Sequence, residues 1–321
     1  MASHPGAVAV GPISSNEEER LVRLDARLGA PRYGGDRGRR RASWSWSYVR
    51  MRVVRLALAG LLALVGFITV YPLFFTGINA LKSETAFARD PLGLPLHPTL
   101  SNFGQAAREL DLGRLILNSV ITTGGGVIVT TFAALLAAYA VAKLHFPGRS
   151  LLFLLIIGTL AIPVQAIIYP LYDVLLRTQL VGSYPGLILG YAAFGLPLGT
   201  FFLAAHFRSI PEELIEAARV DGAGHIRIVF RVLAPASVPP LAALSILNLV
   251  WMWNDLILPL VTMGGGPNKT LMVGVSLLMG QYNVSIPLIS AGLIVALLPI
   301  LLVYLVFQRQ LIRGVLAGAV K

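Results

Sequence analysis

Six long apolar stretches, separated by polar segments, dominate the pattern of hydrophobic positions along the chain. Each is long enough to cross a bilayer as a helix, which takes about 20 residues. The predicted spans are 53–79, 116–142, 151–176, 184–206, 238–262 and 285–307. Residues 1–50 are rich in Gly, Pro, Ser, Arg and Glu and have no sustained apolar periodicity, which is typical of a disordered tail. The pattern therefore predicts an all-α integral membrane protein with six transmembrane helices over residues 51–321.

Composition supports the prediction of a membrane protein and excludes several classes of function. Of the 321 residues, 56% are hydrophobic and 13% are charged, whereas soluble domains usually carry about 25% charged residues. The absence of cysteine excludes disulfides, thiolate metal sites and cysteine nucleophiles. The five histidines are scattered without metal-ligand spacing, and no nucleophile–base arrangement can be located. We therefore expect neither a metal site nor catalytic residues.

The net charge of +11 is unevenly distributed along the chain. With the N-terminus inside and the spans alternating, the inner segments hold 20 Lys and Arg residues and the outer segments hold 6. This asymmetry obeys the positive-inside rule and predicts that both termini are cytoplasmic. The N-terminal tail also carries a basic cluster, formed by Arg37, Arg39, Arg40 and Arg41. Just before a transmembrane helix, such a cluster more commonly contacts anionic membrane lipid than nucleic acid.

The segment between the fourth and fifth spans, about residues 207–237, carries the most informative pattern. Ser209 is a candidate helix cap, Glu212 and Glu213 suit the first turn of a helix, and Asp221-Gly222 suits its end. The short apolar face is predicted at Leu214, Ala217 and Ala218. An inner loop with a helix of its own is more structure than a connector needs. We therefore expect it to present a rigid surface to a cytoplasmic partner.

The same loop resembles the EAA loop of ABC-importer permeases. The matching residues are Glu216-Ala217-Ala218, Gly222 and Pro235, while Val232 and Ala234 stand where the family usually has Ile and Leu. In that family the loop forms a coupling helix that docks in a groove of an ATPase subunit, so the resemblance implies the same role here. The residues it implies for ATPase coupling are Glu212, Glu213, Glu216, Ala217, Ala218, Asp221, Gly222 and Pro235.

The resemblance extends over about residues 65–321 and is closest to the maltose-type carbohydrate permeases. It is carried by Tyr71-Pro72, Asn118-Ser119, Trp253-Asn254-Asp255 and Asn268-Lys269-Thr270-Leu271. It implies the type I ABC-importer permease fold in a bacterial inner membrane and a sugar or oligosaccharide substrate. It also implies that a C-terminal tail with Arg313, Gly314 and Gly318 contacts the ATPase. Glycerol phosphate or a polyol is an alternative cargo, because permeases for those compounds are similar.

The partners implied by this resemblance are a second permease subunit, two ATPase subunits and an extracytoplasmic solute-binding protein. A phosphate-binding P-loop needs Gly-Lys followed by Ser or Thr. None of the four lysines, Lys82, Lys143, Lys269 and Lys321, follows a glycine. We therefore expect a transporter subunit that is not an enzyme and binds no cofactor, with ATP and Mg²⁺ held by a partner ATPase.

Polar residues inside the spans leave two interpretations open. The candidate substrate-path residues are Asn118, Gln165, Tyr169, Asn248 and Trp251. Polar side chains in spans serve equally as hydrogen-bonding groups between helices. Asp255 raises the alternative of an ion-coupled secondary transporter. A single acid without a second acid or a histidine makes a poor proton relay. We therefore favour a structural role in which Asp255 ties backbone near Pro259, with Trp251 and Trp253 in the interfacial belt.

Overall fold

The computed structural model describes residues 37–277 and 285–319, with side chains described between residues 50 and 308 of those ranges. Within them the chain is helical and contains no β-strand, which confirms the all-α prediction. The helices of the first half are α1 (Arg37–Ala80), α2 (Glu84–Arg89), α3 (Ser101–Glu109), α4 (Leu112–Lys143), α5 (Arg149–Gly158) and α6 (Val164–Arg177). Those of the second half are α7 (Tyr184–Ser209), α8 (Glu212–Val220), α9 (His225–Ile228), α10 (Ala234–Ala236), α11 (Val238–Asn254), α12 (Ile257–Met263), α13 (Leu271–Leu277) and α14 (Ile286–Ala319).

Four of the predicted spans correspond to single continuous helices. The helical stretches that are long and apolar enough to cross a membrane are Arg50–Ala80, Leu112–Lys143, Tyr184–Ser209 and Ile286–Gln308. Two further apolar segments are bent pairs of helices, Arg149–Ala161 with Val164–Arg177 at 107° and His225–Ala236 with Val238–Asn254 at 87°. The described residues thus provide four spans, or six if each bent pair is one span. The prediction of six agrees with the larger number.

Proline explains the break in the third predicted span, 151–176. Ile162 is extended, at φ −88° and ψ 121°, because the residue before a proline is pushed away from the helical region. Pro163 lacks the N–H that would continue the helical ladder, and α6 begins only after it. The span predicted over 151–176 is therefore present as a bent pair of helices, and not as one continuous helix. The fifth predicted span, 238–262, breaks as well, at Asp255, which is extended between α11 and α12.

The chain divides into two compact units, residues 1–69 and 70–321. Helix α1 begins at Arg37, so residues 37–50, predicted as the end of a disordered tail, are helical. The rest of the predicted tail, residues 1–36, lies outside the described residues. The packing that positions the functional site belongs to the second unit.

Helices α4 and α7 make the most extensive helix–helix contact of the described residues. Ala134 on α4 is fully buried, and a Cβ added at Gly199 of α7 would lie 2.7 Å from the Ala134 Cβ. A Cβ added at Gly195 would lie 2.6 Å from the Thr130 Cγ2. Small residues let helix backbones approach closely, which drives helix association in membranes. The two helices therefore form one tightly packed pair.

Two apolar clusters lie at the two ends of α4. One joins the end of α4 and α7 to α8 through buried residues that include Phe207 and Ile215. The other joins the start of α4 to α11 and α14 through residues that include Leu115 and Trp253. Trp253 is 7% exposed, and its Nε1–H donates to the carbonyl of Ala296 at 3.2 Å. The prediction that Trp253 lies in an interfacial belt is therefore wrong, because α14 covers its ring.

Candidate functional site

Helix α8 is the predicted coupling helix and spans Glu212–Val220. Pro211 precedes it, and Glu212 and Glu213 occupy its first turn, where carboxylates interact favourably with the positive end of the helix dipole. Ser209 instead belongs to α7, and its Oγ donates to a carbonyl of that helix at 2.7 Å. The prediction that Ser209 caps the coupling helix is wrong, because Ser209 is the last residue of α7. The residue directly before α8 is Pro211.

The predicted end of α8 at Asp221-Gly222 is confirmed. Gly222 has a φ of +76°, a left-handed conformation that costs other L-residues roughly 1–2 kcal/mol. Its N–H donates to the Arg219 carbonyl at 3.0 Å, and the N–H of Ala223 donates to the Ala218 carbonyl at 2.9 Å. These bonds satisfy carbonyls that the helix end would otherwise leave unpaired. The glycine thus lets the chain leave the helix within one residue.

One face of α8 is buried and the other is exposed. Ile215 is fully buried, whereas Leu214 is 46% exposed and Val220 is 88% exposed. Of the predicted apolar face, Leu214 and Ala217 are exposed and Ala218 is half-buried. Apolar residues occur on both faces of this helix, so the sequence alone could not identify the inner one. The exposed residues are Glu213, Leu214, Glu216, Ala217, Arg219 and Val220.

Two residues of α4 that the sequence analysis did not assign to the site hold α8 in place. The Lys143 Nζ donates to the Ile210 carbonyl at 2.7 Å and forms an ion pair with the Glu212 Oε2 at 3.0 Å. The Tyr139 Oη and the His225 Nδ1 share a hydrogen bond of 2.7 Å. The only sequence signal was a lysine at the inner end of a span, which the positive-inside rule already explains. Both contacts depend on the tertiary structure.

Pro235, the last residue of the predicted coupling set, lies apart from α8. It is in α10, directly after a π-helical segment at Val229–Leu233. The chain bends by 87° between this region and α11, and proline interrupts the helical ladder because it has no N–H. Pro235 therefore belongs to the bend that returns the chain to the bundle, and not to the exposed face of α8.

Asn118, a candidate substrate-path residue, cross-links three segments of the chain. Its side chain is 1% exposed. The Nδ2 donates to the Lys269 carbonyl at 2.8 Å, and the Oδ1 accepts from the Tyr184 hydroxyl at 2.7 Å. These partners lie just before α13 and at the start of α7. The amide of Asn118 thus faces protein groups on both sides.

The other four candidate path residues lie in different surroundings. Asn248 is 3% exposed, while Gln165 and Tyr169 are exposed on α6. Trp251 is 37% exposed and its ring lies edge-on to that of Tyr191, with centroids 5.7 Å apart. Of the five candidates, only Trp251 borders an apolar cavity of about 490 Å³ at the bend between α5 and α6. The five residues do not converge on one site.

The acidic residues near the span ends take part in local structure. The Asp255 Oδ1 accepts the N–H of Ile257 at 3.1 Å, in the turn between α11 and α12, which agrees with the favoured structural role. Asp173 forms an ion pair of 2.9 Å with Arg177, one helical turn away. No group of three or more His, Cys, Asp or Glu residues that could hold a metal ion occurs in the described part of the chain.

A family of known transport proteins matches the region that contains this site. The family described as the inner membrane component of binding-protein-dependent transport systems matches residues 126–316, which include α7, α8 and the bend at α10. The chain belongs to this family. It is therefore a membrane permease, and α8 lies in the segment that the family shares.

Individual relatives agree with this assignment. The permease is 34% identical over 260 residues to the diacetylchitobiose uptake system permease protein NgcG of Streptomyces coelicolor, which covers 80% of this chain and 86% of that protein. It is 31% identical over 267 residues to the arabinooligosaccharides transport system permease protein AraQ of Halalkalibacterium halodurans, with coverage of 81% and 94%. A chain of a bacterial ABC transporter involved in alginate import has the same fold, with a TM-score of 0.67 at 23% identity over 80% of this chain and 96% of that one.

Proposed function

We propose that this permease carries a sugar or an oligosaccharide across the bacterial inner membrane as a subunit of an ATP-driven importer. The names of its relatives support the substrate class, because the permeases for diacetylchitobiose and arabinooligosaccharides share 34% and 31% of its residues over the aligned regions. The proposal that the permease couples to an ATPase rests on one observation, which is the exposed face of α8 in a chain of this family.

That face combines exposed apolar and charged side chains. Leu214 and Val220 are 46% and 88% exposed, on a helix that carries too many charges to enter a bilayer. Glu213 and Glu216 are exposed on the same helix, so a partner groove with both apolar and basic groups would complement it. Closure of the ATPase pair on binding ATP would move the docked helix. The bundle would respond by changing between inward-open and outward-open states.

The complete importer would contain this permease, a second permease subunit, two ATPase subunits and an extracytoplasmic solute-binding protein. The ATPase subunits would hold ATP and Mg²⁺, so this chain would catalyse no reaction and bind no cofactor. Both termini would be cytoplasmic. Arg313, Gly314 and Gly318, whose backbone lies in α14, would reach the ATPase pair, although their side chains lie outside the described residues.

The substrate path is proposed without Asn118, because its buried amide is bonded to protein groups. The exposed Gln165, Tyr169 and Trp251 could contact a passing sugar through hydrogen bonds and ring stacking. Asn248 stays a candidate, since its Nδ2 has no hydrogen-bond partner within the described part of the chain. No observation favours glycerol phosphate or a polyol as the cargo. Ion coupling through Asp255 is not proposed, because that carboxylate binds backbone.

Affinity purification of the tagged permease from its native membranes, followed by mass spectrometry, tests the assembly. We expect a P-loop ATPase and a second permease to copurify, and the associated binding protein to bind a sugar from a panel. Recovery of the chain alone under mild detergent would contradict ATP-driven import. Uptake that follows an ion gradient would then support a secondary transporter instead.

Two substitutions test the docking face itself. Glu216→Lys reverses a charge at the proposed interface, and Gly222→Pro cannot adopt the φ of +76° because proline holds φ near −65°. Both variants should insert into the membrane but lose ATPase copurification and uptake. Glu109→Lys, which changes an exposed acid at the end of α3, is the control and should keep the ATPase. Uptake at the unsubstituted rate in both loop variants would contradict docking through α8.

A further inference from the structure

Two buried polar residues of α4 contact the chain at the start of α8 and at the start of α9, the helix that follows α8. Tyr139 and Lys143 are four residues apart, so their side chains lie on one face of the helix. Lys143 binds the Ile210 carbonyl and Glu212, at the start of α8. Tyr139 binds His225, beyond the end of α8. One face of a single transmembrane helix thus holds the start of the coupling helix and the start of α9, which follows it.

The burial of Lys143 makes its contacts strong and specific. The side chain is 5% exposed, against 40% for Glu212. A buried ammonium group is costly unless it is paired and hydrogen-bonded, and here a carbonyl at 2.7 Å and a carboxylate at 3.0 Å satisfy it. The carbonyl belongs to Ile210, the residue that directly follows α7. Lys143 therefore joins α4, the end of α7 and the start of α8.

Ile215 supplies a third contact between these two polar ones. It is fully buried in the same apolar cluster as Tyr139, Leu203 and Phe207. Lys143 at Glu212 and the apolar cluster at Ile215 hold α8 itself, and Tyr139 holds His225 at the start of α9. Together these contacts restrict the rotation and the translation of α8 relative to α4. Among the described residues, none makes such a contact with the opposite face of α8, which carries the exposed residues of the proposed docking surface.

We propose that Lys143 and Tyr139 are positioning residues that make α8 and α4 move as one rigid body, and we call the pair the α4 clamp. A displacement of α8 by the ATPase would then reach α4 directly. It would continue to α7 through the close contact between Ala134 and Gly199. This inference rests on the proposed function, because the clamp transmits a movement that a docked ATPase must generate.

The test measures sugar uptake per ATP hydrolysed in the complete importer reconstituted into vesicles. Lys143→Met removes both polar contacts at the start of α8, and Tyr139→Phe removes only the hydrogen bond to His225. Tyr304→Phe is the matched control, because Tyr304 is an exposed residue of α14. We expect Lys143→Met to keep the ATPase bound but to lower uptake per ATP by at least about fivefold. Tyr139→Phe should lower it less, and Tyr304→Phe should not change it.

A distance measurement separates positioning from a general loss of stability. The chain has no cysteine, so spin labels can be placed at cysteines replacing His145, just beyond α4, and Val220, at the end of α8. Both positions are exposed. We expect a narrow distance distribution that broadens in Lys143→Met and narrows again in Lys143→Arg, which keeps the charge. Lys143→Arg should also recover part of the uptake per ATP.

The outcomes distinguish the clamp from the proposed function. Two results together would overturn the clamp alone: unchanged uptake per ATP in both clamp variants with the ATPase bound, and an unchanged distance distribution in both variants of the permease measured without the ATPase. If Lys143→Met fails to assemble, Tyr139→Phe and Lys143→Arg decide by the same two measurements. Failure of the ATPase to copurify with the unsubstituted chain would overturn the proposed function, and the clamp's role in transmission with it.

Discussion

At the scale of the residue, burial and hydrogen bonding separate side chains that look alike in sequence. Asn118 and Gln165 are both amides within predicted spans. The Asn118 amide is buried and bonded to Lys269 and Tyr184, while Gln165 is exposed on α6. Polarity within a span therefore predicted that both residues have partners. It did not predict whether those partners are protein groups or a passing substrate.

Asn118→Ala is expected to destabilise the permease. The substitution leaves a buried carbonyl and the Tyr184 hydroxyl without their partner, which costs about 1–3 kcal/mol. Chemical unfolding of the purified permease in detergent measures this loss. Gln165→Ala is the control and should change the free energy of unfolding by less than about 0.5 kcal/mol, as is usual at exposed positions. A raised KM for uptake in Asn118→Ala, with unchanged stability, would instead return Asn118 to the substrate path.

At the scale of the element, prolines and glycines decide where helices bend and how closely they pack. Pro163 ends the first leg of the third span, and Pro235 lies at the bend before α11. Gly199 allows α7 to approach α4, because any Cβ there would meet the Ala134 Cβ at 2.7 Å. The apolar runs alone predicted helices at these places. They did not predict the angles of 107° and 87°, which depend on how the legs pack.

Gly199→Ala is expected to force α4 and α7 apart. Overpacking of this kind costs about 1–3 kcal/mol, and the cost should appear as a lower free energy of unfolding. Gly158→Ala is the matched control, since nothing lies within 4 Å of a Cβ added at Gly158 and its backbone is helical. That control should be neutral or slightly stabilising. Equal stability of the two variants would show that α4 and α7 do not need a glycine at their contact.

At the scale of the whole molecule, the distribution of charge predicts how the bundle is oriented. The proposed inner side carries 20 of the 26 basic residues of the chain. In the same orientation, α8 and the α4 clamp face the cytoplasm, where an ATPase would dock. The loop at residues 90–100, which holds the exposed Leu96, would face the solute-binding protein.

Labelling of single cysteines tests this orientation, and the cysteine-free chain allows it without background. In right-side-out vesicles, a membrane-impermeant maleimide should react with a cysteine replacing Leu96. It should react with a cysteine replacing His145 only after the vesicles are permeabilised. Both side chains are exposed, so burial cannot explain a difference between them. Labelling of the His145 position from outside would contradict the proposed orientation and would indicate the opposite one.

The sequence by itself determined the helical class, the approximate spans, the C-terminal end of the coupling helix and the family resemblance. These features are local, because the length of an apolar run, a proline or an Asp-Gly pair acts on neighbouring residues. Only the tertiary structure decided which face of α8 is exposed, that Trp253 is buried and that Lys143 and Tyr139 hold the coupling helix. Those outcomes depend on contacts between distant residues, 69 positions apart for Lys143 and Glu212 and 151 for Asn118 and Lys269. A linear pattern of polar and apolar residues does not specify which distant residues meet.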